Sequence, residues 1–143
     1  GSNNQGTVKT DYDGSNNQYY RWTTNRATAQ NIDVRFKYSL PMDFQTTGAV
    51  TLQYRTGTAT AADNSVAVTV KDVTKNKVCA ATSGNVAVGP TWSTVTIPAS
   101  TLTTGCTGAT ALAAGDLMEM TFDLTATAGT THYADISTVT HAY

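Results

Sequence analysis

The sequence predicts an all-β fold, a two-sheet antiparallel β-sandwich, and three observations carry that prediction. Apolar and polar residues alternate strictly in several segments, clusters of turn-forming residues separate those segments, and threonine replaces charge as the main polar residue. Alternation with a period of two is the mark of a strand that buries one face. Thr supplies 29 of the 143 residues, whereas Glu119 is the single glutamate. The branched Cβ of threonine suits a pleated strand, and its hydroxyl keeps an outer face soluble without charge. The same composition is poor in the residues that build helix surfaces, and no helical period is expected anywhere in the chain.

Taken along the chain, the segments Thr7 to Asp13 and Gln18 to Thr24 read as strands on either side of the turn former Asp13-Gly14-Ser15-Asn16-Asn17. Ile32 to Leu40 has every even position apolar and every odd position polar, the clearest strand pattern present. Val50 to Arg55, Val66 to Lys71 and Met118 to Leu124 repeat it, and the last puts Glu119 and Asp123 on an outer face. Lys77 to Ala81, Trp92 to Ile97 and Tyr133 to Tyr143 are further strands. The final segment changes phase between Ile136 and Val139, which predicts a β-bulge or a switch of sheet. The expected core is the even-numbered residues from Ile32 to Leu40, Phe36 included, with Val50, Leu52, Tyr54, Val66, Val68, Val70, Met118, Met120, Phe122 and Leu124.

Eight or nine strands at this spacing point to a sandwich. A jelly roll is the first topology, because the long strands near both ends can pair in one sheet; an immunoglobulin-like Greek key is the alternative. No repeat or linker interrupts residues 1–143, which read as a single domain. Residues 1–6 form a polar N-terminal segment, and Gly1-Ser2 has the composition of a cloning scar. No apolar run reaches the ~18 residues that a membrane-spanning helix needs, so membrane insertion is not expected. Nine basic and ten acidic residues give a net charge of −1, and the basic ones never gather into a patch able to displace counterions, so nucleic acid is not an expected partner.

Cys79 and Cys106 are the only cysteines and lie outside any CxxC arrangement. In an extracellular setting such a pair forms one disulfide; in a reducing compartment it would stay as two thiols. A metal site would need further ligands, and His132 and His141 lie far along the chain.

Groups suited to catalysis are few. Glu119 and Asp123 alternate on one strand and read as a solvated face, although Asp33 could meet Asp123 or Asp135 across sheets. His132 and His141 are the only imidazoles, and no Gly-x-Ser-x-Gly elbow is present. No enzyme activity and no cofactor are expected. Asp11, Asp13, Ser15 and Asn17 place side-chain oxygens at alternate positions, the one pattern that could hold a structural calcium, but the glycine and distal glutamate of an EF-hand loop are misplaced or missing. The more economical reading is a polar turn. The aromatic residues are the stronger surface candidates, because sugar rings stack their C–H faces on Trp and Tyr while neighbouring polar groups bond the hydroxyls. Tyr20, Arg21, Trp22 and Trp92 are the candidate ligand-binding residues. Core packing is the competing reading for each Trp, and adjacent Tyr19 and Tyr20 must face opposite ways.

The stretch Tyr19-Tyr20-Arg21-Trp22, then Ile32 to Phe36 and Leu40-Pro41-Met42-Asp43-Phe44, resembles jelly-roll modules of virion and cell-surface proteins. The closing Tyr133-Ala134-Asp135-Ile136 is similar to the last strand of many carbohydrate-binding jelly rolls. The resemblance implies a non-catalytic module, extracellular or on a cell or virion surface. The first expectation is a structural or adhesive role through protein contacts or self-assembly, with Gly1 to Thr10 able to add a strand to its own sheet or to a neighbour's. The alternative is a carbohydrate-binding module that uses surface aromatics on a glycan.

Overall fold

The computed structural model describes residues 5–143. Nine strands follow in chain order: β1 (Thr7–Tyr12), β2 (Gln18–Thr23), β3 (Gln30–Ser39), β4 (Val50–Thr56), β5 (Asn64–Asp72), β6 (Lys77–Ala81), β7 (Ser93–Ile97), β8 (Leu117–Ala126) and β9 (Ala134–His141). They form two antiparallel sheets, β1-β2-β9-β4-β7 and β3-β8-β5-β6. The order β2-β9-β4-β7 against β3-β8-β5-β6 is that of a jelly roll, and β1 extends it by pairing with β2. The long strands near the two ends do share a sheet, through Tyr20 to Trp22 against Ile136 to Ala134. The change of phase in the last strand is a bulge: Tyr54 stands opposite Ile136 but Leu52 opposite Val139, so β9 carries an extra residue there.

The inner faces of both sheets supply the core. Val50, Leu52, Tyr54, Val66, Val68, Val70, Met118, Met120, Phe122 and Leu124 are all buried, as their alternation predicts. The expectation for β3 needs correction. Leu40 is buried, while Ile32, Val34 and Tyr38 only lean on the core and Phe36 is 48% exposed. The register itself is as expected, with Phe36 opposite Met120 and Val34 opposite Phe122. The reason is position in the sheet: β3 is an edge strand, and β2 accompanies β9 only as far as Ile136. β2 pairs with β9 no further, and Phe36 stays half in solvent despite its parity, while towards the end of the strand Tyr38 packs on His141 and Leu40 is buried.

A helical turn, α1 (Ala99–Gly105), and a 3₁₀ turn (Gly108–Thr110) correct the expectation of no helix. With seven residues, α1 is too short to show a sustained period. Its only signature is Leu102 and Cys106, one turn apart and both buried, with the Cys106 N–H donating to the Leu102 carbonyl at 2.9 Å. Cys79 and Cys106 are joined in a disulfide that ties the end of α1 to β6. The contact demands glycine at 105, where a Cβ would lie 1.7 Å from the Cys79 carbonyl oxygen.

Candidate functional site: a charged row beneath aromatic rings

On β2 the Trp22 side chain points into the core, so Arg21 and Tyr19 must project from the outer face of the five-stranded sheet. Arg21 stands in register with Asp135 on β9, and Asp135 in register with Arg55 on β4. The row Arg21–Asp135–Arg55 therefore crosses three adjacent strands. Arg21 donates from Nε and Nη2 to the two Asp135 oxygens, each at 2.8 Å, and Arg55 Nε donates to Oδ2 at 2.8 Å. The Asp135 side chain is fully buried, that of Arg55 nearly so, and that of Arg21 is 31% exposed. One carboxylate between two guanidiniums leaves a net positive centre, and the hydrogen bond to Asp135 raises the already high pKa of Arg21.

Aromatic rings enclose this row. Arg21 Cζ lies 3.8 Å from the Tyr133 ring centroid, and Arg55 Cζ lies 4.4 Å from that of Trp92 and 4.7 Å from that of Tyr19. Tyr19 and Trp92 meet edge to face with centroids 5.7 Å apart. Each ring comes from a segment anchored by its own contacts. Arg55 Nη1 donates to the Pro90 carbonyl at 2.9 Å, fixing the loop before β7, and Trp92 Nε1 donates to Asp13 Oδ2 at 2.7 Å. Gly57 receives the loop that carries Tyr133: its N–H donates to the Tyr133 carbonyl at 3.1 Å, and a Cβ there would lie 1.5 Å from the Thr131 carbonyl oxygen.

The surface this presents is mixed. Arg21 commits Nε and Nη2 to Asp135, and its side chain stays 31% exposed. Trp92 and Tyr133 are half-buried. Lys9 and Asp11 on β1 stand in register with Arg21 and Tyr19, and Gln53 on β4 is exposed on the same face as Arg55.

Of the four predicted ligand-binding residues, the structure brings Arg21 and Trp92 together. Trp22 is a correction: it is 1% exposed, packed in the core with Nε1 donating to the Gln30 carbonyl at 3.0 Å, and is closed to any ligand. Tyr20 is exposed but on the inner-face parity, away from the cluster. Tyr19 and Tyr133 belong to the aromatic set that the sequence offers for the surface, although not to the four chosen as ligand-binding, and Arg55 is the residue that sequence reading missed. Asp135 enters the sequence reading only as a possible partner of Asp33, and nothing in the sequence gives the register that aligns it with Arg21 and Arg55.

In the calcium candidate Asp11, Asp13 and Asn17, both Asp13 oxygens and Asp11 Oδ1 accept from N–H donors, and Asn17 is itself a donor to Asp13. Asp13 accepts from the backbone N–H of Ser15 and Asn17, from Asn17 Nδ2 and from Trp92, and Asp11 accepts from the Tyr12 N–H. The side-chain and backbone hydrogen bonds from Asn17, then that from Trp92, hold the Asp13 carboxyl well below the usual carboxylate range. The segment is a polar turn that orients Trp92. Among acids considered for pairing, Asp33 and Asp123 are cross-strand neighbours in one sheet, engaged by Arg35 and Asn31 respectively, while Asp135 belongs to the arginine row. His132 accepts or donates at Nδ1 with Thr127 Oγ1 at 2.8 Å, but its Nε2 is 3.8 Å from Asp63 and the Thr127 hydroxyl also reaches the Asp63 carbonyl, an arrangement that ties two loops together.

Elsewhere a concavity of about 230 Å³ lies beside β3, lined by Phe36, Tyr38, Met120, Val139, His141 and Tyr143 among others. It is chiefly apolar. His141 spends both ring nitrogens inside the protein, on Tyr38 Oη at 2.6 Å and Thr47 Oγ1 at 2.7 Å. The groove thus offers mainly apolar area, whereas the arginine row combines rings with charged groups.

No protein-family profile and no curated protein sequence matches this chain. Among solved structures it is similar to the carbohydrate-binding module TmCBM61, described in complex with β-1,4-galactotriose, with a TM-score of 0.55 and 9% sequence identity over 98% of this chain and 90% of that one. At that identity the likeness is one of fold, and it agrees with the jelly-roll reading.

Proposed function

We propose that this chain is a non-catalytic carbohydrate-binding module whose glycan surface is the outer-face cluster. The observation that carries the reading is the row Arg21–Asp135–Arg55 set between Trp92, Tyr19 and Tyr133. A glycan needs an apolar plane for its C–H faces and rigid donors for its hydroxyls. Tyr133 and Trp92 supply rings already fixed by their neighbours, so little side-chain freedom is lost on binding. Arg21, held by two bonds to a buried carboxylate and partly exposed, keeps Nη1 outside that pair as a preorganised donor. The shared fold with a galactotriose-binding module makes galactose-containing oligosaccharides the first ligands to try, and the disulfide suits an oxidising, extracellular setting.

Glycan-array screening followed by calorimetry tests this. Trp92→Ala, Tyr133→Ala and Arg21→Ala are each expected to weaken binding about tenfold or more, a loss of stacking or of a charge-assisted bond. Phe36→Ala, in the apolar groove beside β3, is expected to leave affinity unchanged. Absence of binding across the array, or loss confined to Phe36→Ala, would overturn the proposal.

A further inference from the structure

β1 is the outermost strand of the five-stranded sheet, and all six of its residues are exposed. Its odd and even residues have different backbone roles. The Asp13 N–H donates to the Asn17 carbonyl at 3.0 Å, continuing the β1–β2 ladder past its last pair. In an antiparallel ladder alternate residues bond to the same side, so Thr7, Lys9 and Asp11 bond inward to β2, and Val8, Thr10 and Tyr12 turn their N–H and C=O groups to the free edge. Such an edge is a template for another strand.

From these features we infer that β1 pairs with β1 of a second copy of this chain, antiparallel and centred on Thr10. The sequence of the strand is complementary to itself in that register. Thr10 meets Thr10 of the partner. Val8 meets Tyr12 twice, on the inner face where both are exposed apolar side chains. Lys9 meets Asp11 twice, on the outer face. Opposite charges placed directly across a ladder are favourable and like charges are not, so the register is specified by charge as well as by backbone. The Tyr12 N–H is bonded in the single chain to Asp11 Oδ1 at 2.8 Å. In the pair a Val8 carbonyl takes that N–H, and the Asp11 carboxylate is released to the opposing Lys9. The two-fold axis runs perpendicular to the sheet, giving an isologous contact and one continuous ten-stranded sheet. Because antiparallel pairing preserves faces, the two arginine rows lie on the same side of that sheet. The inference concerns assembly and does not depend on the glycan reading.

Sedimentation and light scattering over a concentration series test it on the intact chain. The wild type is expected to show a reversible monomer–dimer equilibrium. Lys9→Asp and Asp11→Lys each turn two attractive pairs into two repulsive ones and are expected to weaken the dimer about tenfold or more. Mixing the two variants restores complementarity and gives a heterodimer, and the double variant K9D/D11K dimerises with itself. Thr10→Pro, which removes a free-edge N–H without touching the β2 ladder, gives a folded monomer. A wild type that stays monomeric at every concentration would overturn the inference. So would single variants that dimerise like the wild type, or a mixture that fails to recover the dimer.

Discussion

Arg21 Cζ sits 3.8 Å from the centroid of the Tyr133 ring while its Nε and Nη2 close on the two oxygens of Asp135. The same carboxylate also accepts from Arg55, so the placement of both guanidiniums, and of the rings packed on them, depends on one fully buried acid. Asp135→Ala would leave two cations packed side by side with no counter-charge. Its expected cost is about 3–5 kcal/mol, the usual penalty for removing one partner of a buried pair. Arg21→Ala should cost less, because that side chain is partly solvated and Arg55 stays bonded to Oδ2 and keeps the acid paired with a cation. Urea unfolding of the two variants checks the order; equal losses would show that Asp135 is not the organising member.

Phe36 and Phe122 share the inner face of one sheet but not its burial. Phe122 is enclosed between the sheets, and Phe122→Ala is expected to cost about 3–5 kcal/mol, the usual range for opening a core cavity. Phe36 is half in solvent, so Phe36→Ala should cost about 1 kcal/mol, since only about half of its area is removed from water. Comparison of denaturation midpoints tests the edge-strand explanation, and equal costs would contradict it.

The contrast also shows where sequence reading stops. A period of two fixes which face of β3 a residue occupies, and that was legible; whether anything lies opposite depends on β2 and β9 parting after Ile136, a relation between strands more than a hundred positions apart in the chain. The bulge in β9 was legible because it disturbs parity locally. The helical turn α1 was not, because seven residues whose only signal is Leu102 and Cys106 cannot establish a period. In the candidate site, Arg21 and Trp92 could be picked out by residue type. Arg55 and Asp135 became site residues only through register, which no local pattern encodes, and Trp22 left the site because its parity matched the core.

Cys79 and Cys106 close a loop of 27 residues between β6 and α1. Loop-closure entropy in the unfolded chain assigns such a bond about 3.5 kcal/mol. Reduction, or replacement of both cysteines by Ser, is expected to lower Tm by about 10 °C for a domain of this size. The fold should survive at low temperature, because β6 remains paired with β5. Calorimetry with and without reductant measures the shift, and an unchanged Tm would show that the crosslink adds nothing to stability.

His141 gives stability a dependence on mildly acidic pH. Its ring lies between Tyr38 and Thr47, with both nitrogens in hydrogen bonds, and burial pushes its pKa below the ordinary 6.5. In the window between the lowered folded value and 6.5 the unfolded chain binds more protons than the folded one, so stability rises with pH through that window. The contribution is complete above pH 6.5 and is lost as pH falls through the folded value. Carboxylates held in their charged form by hydrogen bonds, Asp13 among them, lose their contribution only below their ordinary 3.8, a separate window. Tyr38, whose phenol burial pushes up, stays protonated throughout. The expected result is a midpoint of urea unfolding that declines between about pH 7 and pH 5 in the wild type. In His141→Gln, which keeps a polar side chain but cannot titrate, that decline should be reduced. A wild type and variant with parallel pH profiles would show that His141 charges as readily in the folded chain as in the unfolded one.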